Sequence, residues 1–102
     1  MTIAGIDLSQ YQLEDFCRSW KVIELAVFGS ALRQDFHALS DIDMLVSFAT
    51  DAGWSLFDLV EMQDELEQIF GREVDLVERE SLQNPFRRRE ILENMQVIYA
   101  TT

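Results

Sequence analysis

Two apolar, β-rich runs, Val22–Phe28 and Ile42–Phe48, constrain this chain more than any other feature. Strands this apolar have to be buried, so they call for a sheet with helices packed on it. The first run stops at Gly29-Ser30, a tight-turn signal. The second is opened by Asp41-Ile42-Asp43, which sets two carboxylates at the mouth of a buried strand.

The flanking sequence supplies the helices. Ser9 and Gln12 form a capping-box pattern, and Leu13, Phe16, Cys17 and Trp20 recur at helical spacing, predicting a helix over about Gln10–Trp20. A short helical or looped stretch joins the two strands. Asp51-Ala52-Gly53 breaks the chain, and Ser55 caps a further helix. Its predicted buried stripe is Leu56, Leu59, Val60, Gln63, Leu66, Ile69 and Phe70, with Gly71 as the terminator. Val74–Val77 reads as a short third strand. Asn84-Pro85 starts a helix through about Met95, and Val97–Tyr99 is a last edge strand. The order α-β-α-β-α-β-α-β places the chain in the α/β (α+β) class, a small mixed sheet flanked by helices. With 102 residues, no repeat and no linker, it reads as one domain, 1–102, with one modest core.

Charge narrows the function classes. Nineteen acidic against eight basic residues give a net charge of −11. Such a surface repels a phosphate backbone, which argues against direct nucleic-acid binding. It still admits a nucleotide screened by metal ions, or a basic protein partner. Cys17 is the only cysteine and His37 the only histidine, so an internal disulfide and a thiolate zinc cluster are excluded. No run reaches the roughly 20 apolar residues of a membrane span, and Met1–Ser9 lacks signal-peptide character. A cytoplasmic location follows as the expectation.

The chemistry concentrates between the two long strands. Asp41 and Asp43 are two apart on a strand, so both side chains leave one face with Cα atoms about 6.5 Å apart. Carboxylates that close repel, and a hard divalent cation between them removes the repulsion. Gly29-Ser30, leaving a strand toward a helical stretch, offers backbone N–H groups and a hydroxyl to phosphate oxygens. Taken singly, each feature is equally an ordinary turn or a solvated strand end; together they supply a phosphate grip beside metal carboxylates. Asp75, inside Val74-Asp75-Leu76-Val77, becomes a third carboxylate if its strand lies beside Ile42–Phe48 and otherwise faces solvent from an edge.

Phe28-Gly29-Ser30 followed by Ser40-Asp41-Ile42-Asp43-Met44-Leu45-Val46 resembles the signature of the DNA-polymerase-β-like nucleotidyltransferases. At this length the chain is similar to their minimal branch, the antitoxin partners of HEPN-domain ribonuclease toxins. The resemblance spans the first helix to the Asn84-Pro85 helix. It implies a polymerase-β-like nucleotidyltransferase fold and a protein adenylyltransferase that moves AMP from ATP to a tyrosine of its toxin. By the same resemblance Gly29 and Ser30 hold the β/γ phosphates and Asp41 and Asp43 bind two Mg²⁺ ions. Asp75 is then the third carboxylate, as metal ligand or as proton acceptor.

Other residues carry two readings each. Arg33, one helical turn past Gly29-Ser30, either reaches a phosphate or is solvated. Arg87-Arg88-Arg89 opens a helix, where the dipole disfavours cations, and either meets the triphosphate, the acidic helix of Asp58–Glu67 or a partner, or is plain surface. That acidic helix is a solvated face or a dock for a basic partner. His37 lines the loop between the motifs, Cys17 is buried filler, and Trp20, Trp54 and Phe57 read as core. Two rivals stand beside the enzyme: an antitoxin that neutralises its toxin by binding alone, and a small-molecule transferase, disfavoured because no second domain completes an acceptor pocket.

Overall fold

The computed structural model describes residues 2–3, 6–7, 10–29 and 41–101, with side chains described for 11–29 and 41–101. A short antiparallel pair, β1 (Thr2–Ile3) and β2 (Ile6–Asp7), precedes the main body and was not anticipated. Helix α1 (Gln10–Ser19) leads into β3 (Val22–Phe28), and β4 is Ile42–Phe48. Helix α2 (Leu56–Phe70), β5 (Val74–Glu78), a 3-10 turn (Arg79–Ser81), α3 (Pro85–Asn94) and β6 (Gln96–Ala100) complete the chain. The expected helical or looped stretch between β3 and β4, and the Ser9 cap, lie outside the described residues.

The four long strands form one sheet in the order β5-β4-β3-β6. β3 pairs antiparallel with both β4 and β6, whereas β5 runs parallel to β4. That parallel step needs a crossover, and α2 is it. Alternation along the strands divides the side chains into two layers. Ile42, Met44, Val46, Val74, Leu25 and Val27 pack with Leu13 and Phe16 of α1 and with Met62, Leu66 and Phe70 of α2. Ala26, Phe28 and Leu45 face the other way, onto Leu82 and Ile91 of the α3 layer.

The predicted stripe of α2 is out of phase at its start. Met62, Leu66 and Phe70 are its buried residues, while Leu56 and Val60 are 79% and 60% exposed. A four-residue recurrence, Met62, Leu66 and Phe70, meets the core instead, and the first turn of the helix presents Leu56 and Phe57 outward. Phe57, read as core, is 87% exposed. The ends of the helix match their signals. Ser55 and Asp58 form a reciprocal capping box, and Gly71 closes the helix at φ +70° with its N–H donating to the Glu67 carbonyl at 2.8 Å.

Trp20 and Trp54 are half-buried and meet edge to face, centroids 5.1 Å apart. Each indole N–H has an acceptor: Trp54 Nε1 donates to the Trp20 carbonyl at 2.7 Å and Trp20 Nε1 to Glu65 Oε2 at 2.5 Å. Cys17 is fully buried on α1, and burial, with a smaller push from the Glu14 charge, raises its thiol pKa from 9.0 to about 12.

Candidate active site

Antiparallel pairing sets the end of β3 beside the start of β4, with Phe28 in register with Asp43. The next residue, Gly29, takes φ +68°, a left-handed conformation that glycine adopts at no steric cost. It also makes a close approach. A Cβ built on Gly29 would stand 2.5 Å from Asp43 Oδ2, so this backbone can lie against that carboxylate only without a side chain. Sequence reasoning gives Gly29 the phosphate turn alone; its contact with Asp43 becomes visible once the strand register is known.

Asp43 is half-buried and Asp41, just ahead of β4, is exposed. Ile42 between them points into the α1–α2 layer, which sends both carboxylates to the α3 side of the sheet. Across the parallel ladder Asp43 is in register with Asp75. Val74 and Leu76 pack toward α1 and α2, so Asp75 projects from the same sheet face as Asp43, at a strand spacing of about 4.8 Å. The Ile42 N–H donates to the Glu73 carbonyl at 2.9 Å, which ties the two strand starts together and fixes this level. β5 is an edge strand and Asp75 is exposed on it, so the edge position and the shared face both hold.

Three carboxylates thus share one end and one face of the sheet. Their mutual repulsion in a chain of net charge −11 favours a cation among them. Among the described residues, no three carboxylate, imidazole or thiol groups are gathered tightly enough to hold a metal by themselves. The expected set of Asp41, Asp43 and Asp75 is therefore not a closed cage. An open, all-oxygen set of one or two carboxylates, completed by substrate phosphates, is what Mg²⁺ takes in nucleotide sites, and these residues fit that description.

Ser30, Arg33 and His37 lie outside the described residues. Arg87, Arg88 and Arg89 are exposed on the first turns of α3, and Arg89 Nε pairs with Glu93 at 2.9 Å. It is the other end of α3 that leads into β6, where Gln96 is in register with Val27 one row from Asp43.

Residues 10–98 match the family model described as a nucleotidyltransferase domain. The chain belongs to that family. A relative from Methanocaldococcus jannaschii, provisionally named a protein adenylyltransferase, is 34% identical over 76 residues, covering 74% of this chain and 76% of the relative. The protein adenylyltransferase MntA of Thermococcus cleftensis is 40% identical over 63 residues, 62% of each chain. Among solved structures, one provisionally described as a minimal nucleotidyltransferase superposes with TM-score 0.70 at 29% identity, covering 84% of this chain and 85% of its own. A toxin–antitoxin structure with AMP-PNP shares the fold, with TM-score 0.73 at 22% identity, covering 93% of this chain and 76% of that one. The small mixed sheet of this nucleotidyltransferase is accordingly the minimal form of the fold. Among its described residues no helix is long and apolar enough to cross a membrane.

Proposed function

We propose that this nucleotidyltransferase is the antitoxin of a HEPN ribonuclease toxin in the cytoplasm, and that it silences the toxin by moving AMP from ATP to a toxin tyrosine. The observation that carries this reading is the grouping of Gly29, Asp43 and Asp75 at one sheet end: Asp43 and Asp75 are level on adjacent strands, and the Gly29 backbone, just past β3, lies against the Asp43 carboxylate. The names of the relatives supply the adenylyl group and the protein acceptor, and the AMP-PNP complex supports ATP as donor and a toxin as partner.

In this reading Gly29 and Ser30 hold the β/γ phosphates, with Arg33 within reach of them. Asp41 and Asp43 hold two Mg²⁺ ions, and Asp75 completes the carboxylate set. When bound, the ions supply charge neutralisation of the triphosphate and a lower pKa for the acceptor hydroxyl. The phenolic oxygen forms its bond to the α-phosphorus as the bond from that phosphorus to the β-bridging oxygen breaks, and pyrophosphate leaves. The phenolic proton passes to Asp75 or to water. The rest is positioning, which a domain of 102 residues can provide.

The test is the intact mass of the toxin after incubation with this protein, ATP and Mg²⁺, beside an Asp43→Ala control. Mass gained in whole adenylyl units with the natural protein alone is the expected result. Unchanged mass, with a stable complex formed by both proteins, would overturn it in favour of neutralisation by binding.

A further inference from the structure

We propose that the outer face of the first turns of α2 is a docking surface for a basic, apolar-anchored segment of the toxin. Leu56, Phe57 and Val60 are 79%, 87% and 60% exposed on the first two turns of a helix whose later turns are buried in the core. Phe57, Val60, Glu61 and Asp64 stand at i, i+3, i+4 and i+7, which is one face of a helix. That face is apolar toward the N-terminus and acidic beyond it, and α2 contains no basic residue. Grouped apolar side chains with a polar border mark an interaction site more often than a bare surface.

Charge selects the occupant. A second copy of this chain would bring another −11 surface and, in a symmetric contact, the same Glu61 and Asp64 against themselves. An anionic membrane is repelled for the same reason. A ribonuclease has to carry a basic surface to bind its polyanionic substrate. A segment of it with one apolar anchor and neighbouring Lys or Arg matches this face in both halves. The inference takes the toxin's identity from the function proposed above. It concerns a different part of the molecule: α2 starts beyond the C-terminal end of β4, and the strand alone sets about 16 Å between Asp43 and Phe48.

Binding of the purified toxin to the natural protein, to Phe57→Ser/Val60→Ser, to Glu61→Gln/Asp64→Asn and to Asp43→Asn tests the proposal, with thermal melts as the folding control. Because all four α2 positions are exposed, their variants should melt close to the natural protein. The expected result is a Kd at least about tenfold weaker for Phe57→Ser/Val60→Ser. A flatter salt dependence is expected for Glu61→Gln/Asp64→Asn and unchanged affinity for Asp43→Asn. Natural affinity in Phe57→Ser/Val60→Ser overturns the docking surface while leaving the enzyme reading intact. Weakened binding there, with no AMP transferred by the natural protein, overturns the enzyme reading and leaves the docking surface standing. No binding by the natural protein overturns the docking surface, and the intact-mass test then decides the enzyme reading by itself.

Discussion

Gly29→Ala puts a methyl group where Asp43 already is. The new Cβ would lie 2.5 Å from Asp43 Oδ2, against 3.4 Å or more for ordinary contact, so one of the two has to give by about 0.9 Å. A displacement of that size at a group that positions substrate costs on the order of a hundredfold in rate. The residue also sits at φ +68°, where a Cβ costs about 1–2 kcal/mol. For a chain of this size that is a fall in Tm of about 4–16 °C. Gly71→Ala is the matched control: φ is +70° and nothing stands within 4 Å of its would-be Cβ. It carries the backbone cost without the collision. Toxin adenylylation followed by intact mass, with melts of both variants, separates the contributions. Gly29→Ala should lose at least as much Tm as Gly71→Ala, the excess measuring the collision, and only Gly29→Ala should lose transfer. Equal transfer rates in the two variants would refute the claim that the Gly29 backbone holds Asp43 in place.

The remaining expectations concern chemistry and stability separately. Asp43→Ala should lower transfer by at least about a hundredfold with an unchanged far-UV circular dichroism spectrum, because the carboxylate serves the site and the strand is held by its apolar neighbours. Chelation by EDTA should stop transfer and added Mg²⁺ restore it; transfer in EDTA would exclude the divalent-ion reading. Ser55→Ala removes one half of the capping box and should cost about 1 kcal/mol, or roughly 4–8 °C of Tm, with no change in transfer rate. Cys17 should resist alkylation in the native protein at pH 8 and react once the chain is unfolded. Its thiol is held protonated up to about pH 12 when folded and ionises near 9.0 when unfolded. The unfolded chain therefore sheds the proton first, and this residue's contribution to stability is complete below about pH 9 and is lost as pH rises toward 12.

The two long strands and the capped ends of α2 were legible because each carries a local signal: apolar β-rich runs, a Ser55 N-cap, a terminating Gly71. The start of α2 was not, because Leu56 and Val60 have the spacing of a buried stripe and only the tertiary structure decides which helical face meets the sheet. The pair β1–β2 involves two residues per strand, too few for any periodic pattern to emerge. At the site, the Asp41–Asp43 relation follows from strand geometry alone. Asp75 could be placed there only on the condition that β5 adjoin β4, a long-range fact about pairing that no window of sequence contains. Gly29 against Asp43 is of the same kind.

The arrangement at the site is thus a product of topology, and it is tied to a helix packed on the other face of the sheet. Antiparallel pairing of β3 with β4 is enough to set Gly29 beside Asp43. Asp75 arrives by another route, through the crossover helix α2, whose buried Met62, Leu66 and Phe70 seat it on the α1-facing side of the sheet. The chain leaving α2 at Gly71 then has only three residues before Val74 pairs with Ile42. With so short a connection, the seat of α2 sets the level at which β5 enters the ladder. Two side-chain contacts reinforce it, Val74 N–H to Glu67 Oε2 at 3.0 Å and Leu76 N–H to Gln63 Oε1 at 3.2 Å, and they hold the residues on either side of Asp75 to the helix. β5 is an edge strand, and among the described residues no further strand pairs with its outer side. Fastening the edge from the helix side leaves Asp75 exposed on the opposite face, which the proposed function requires.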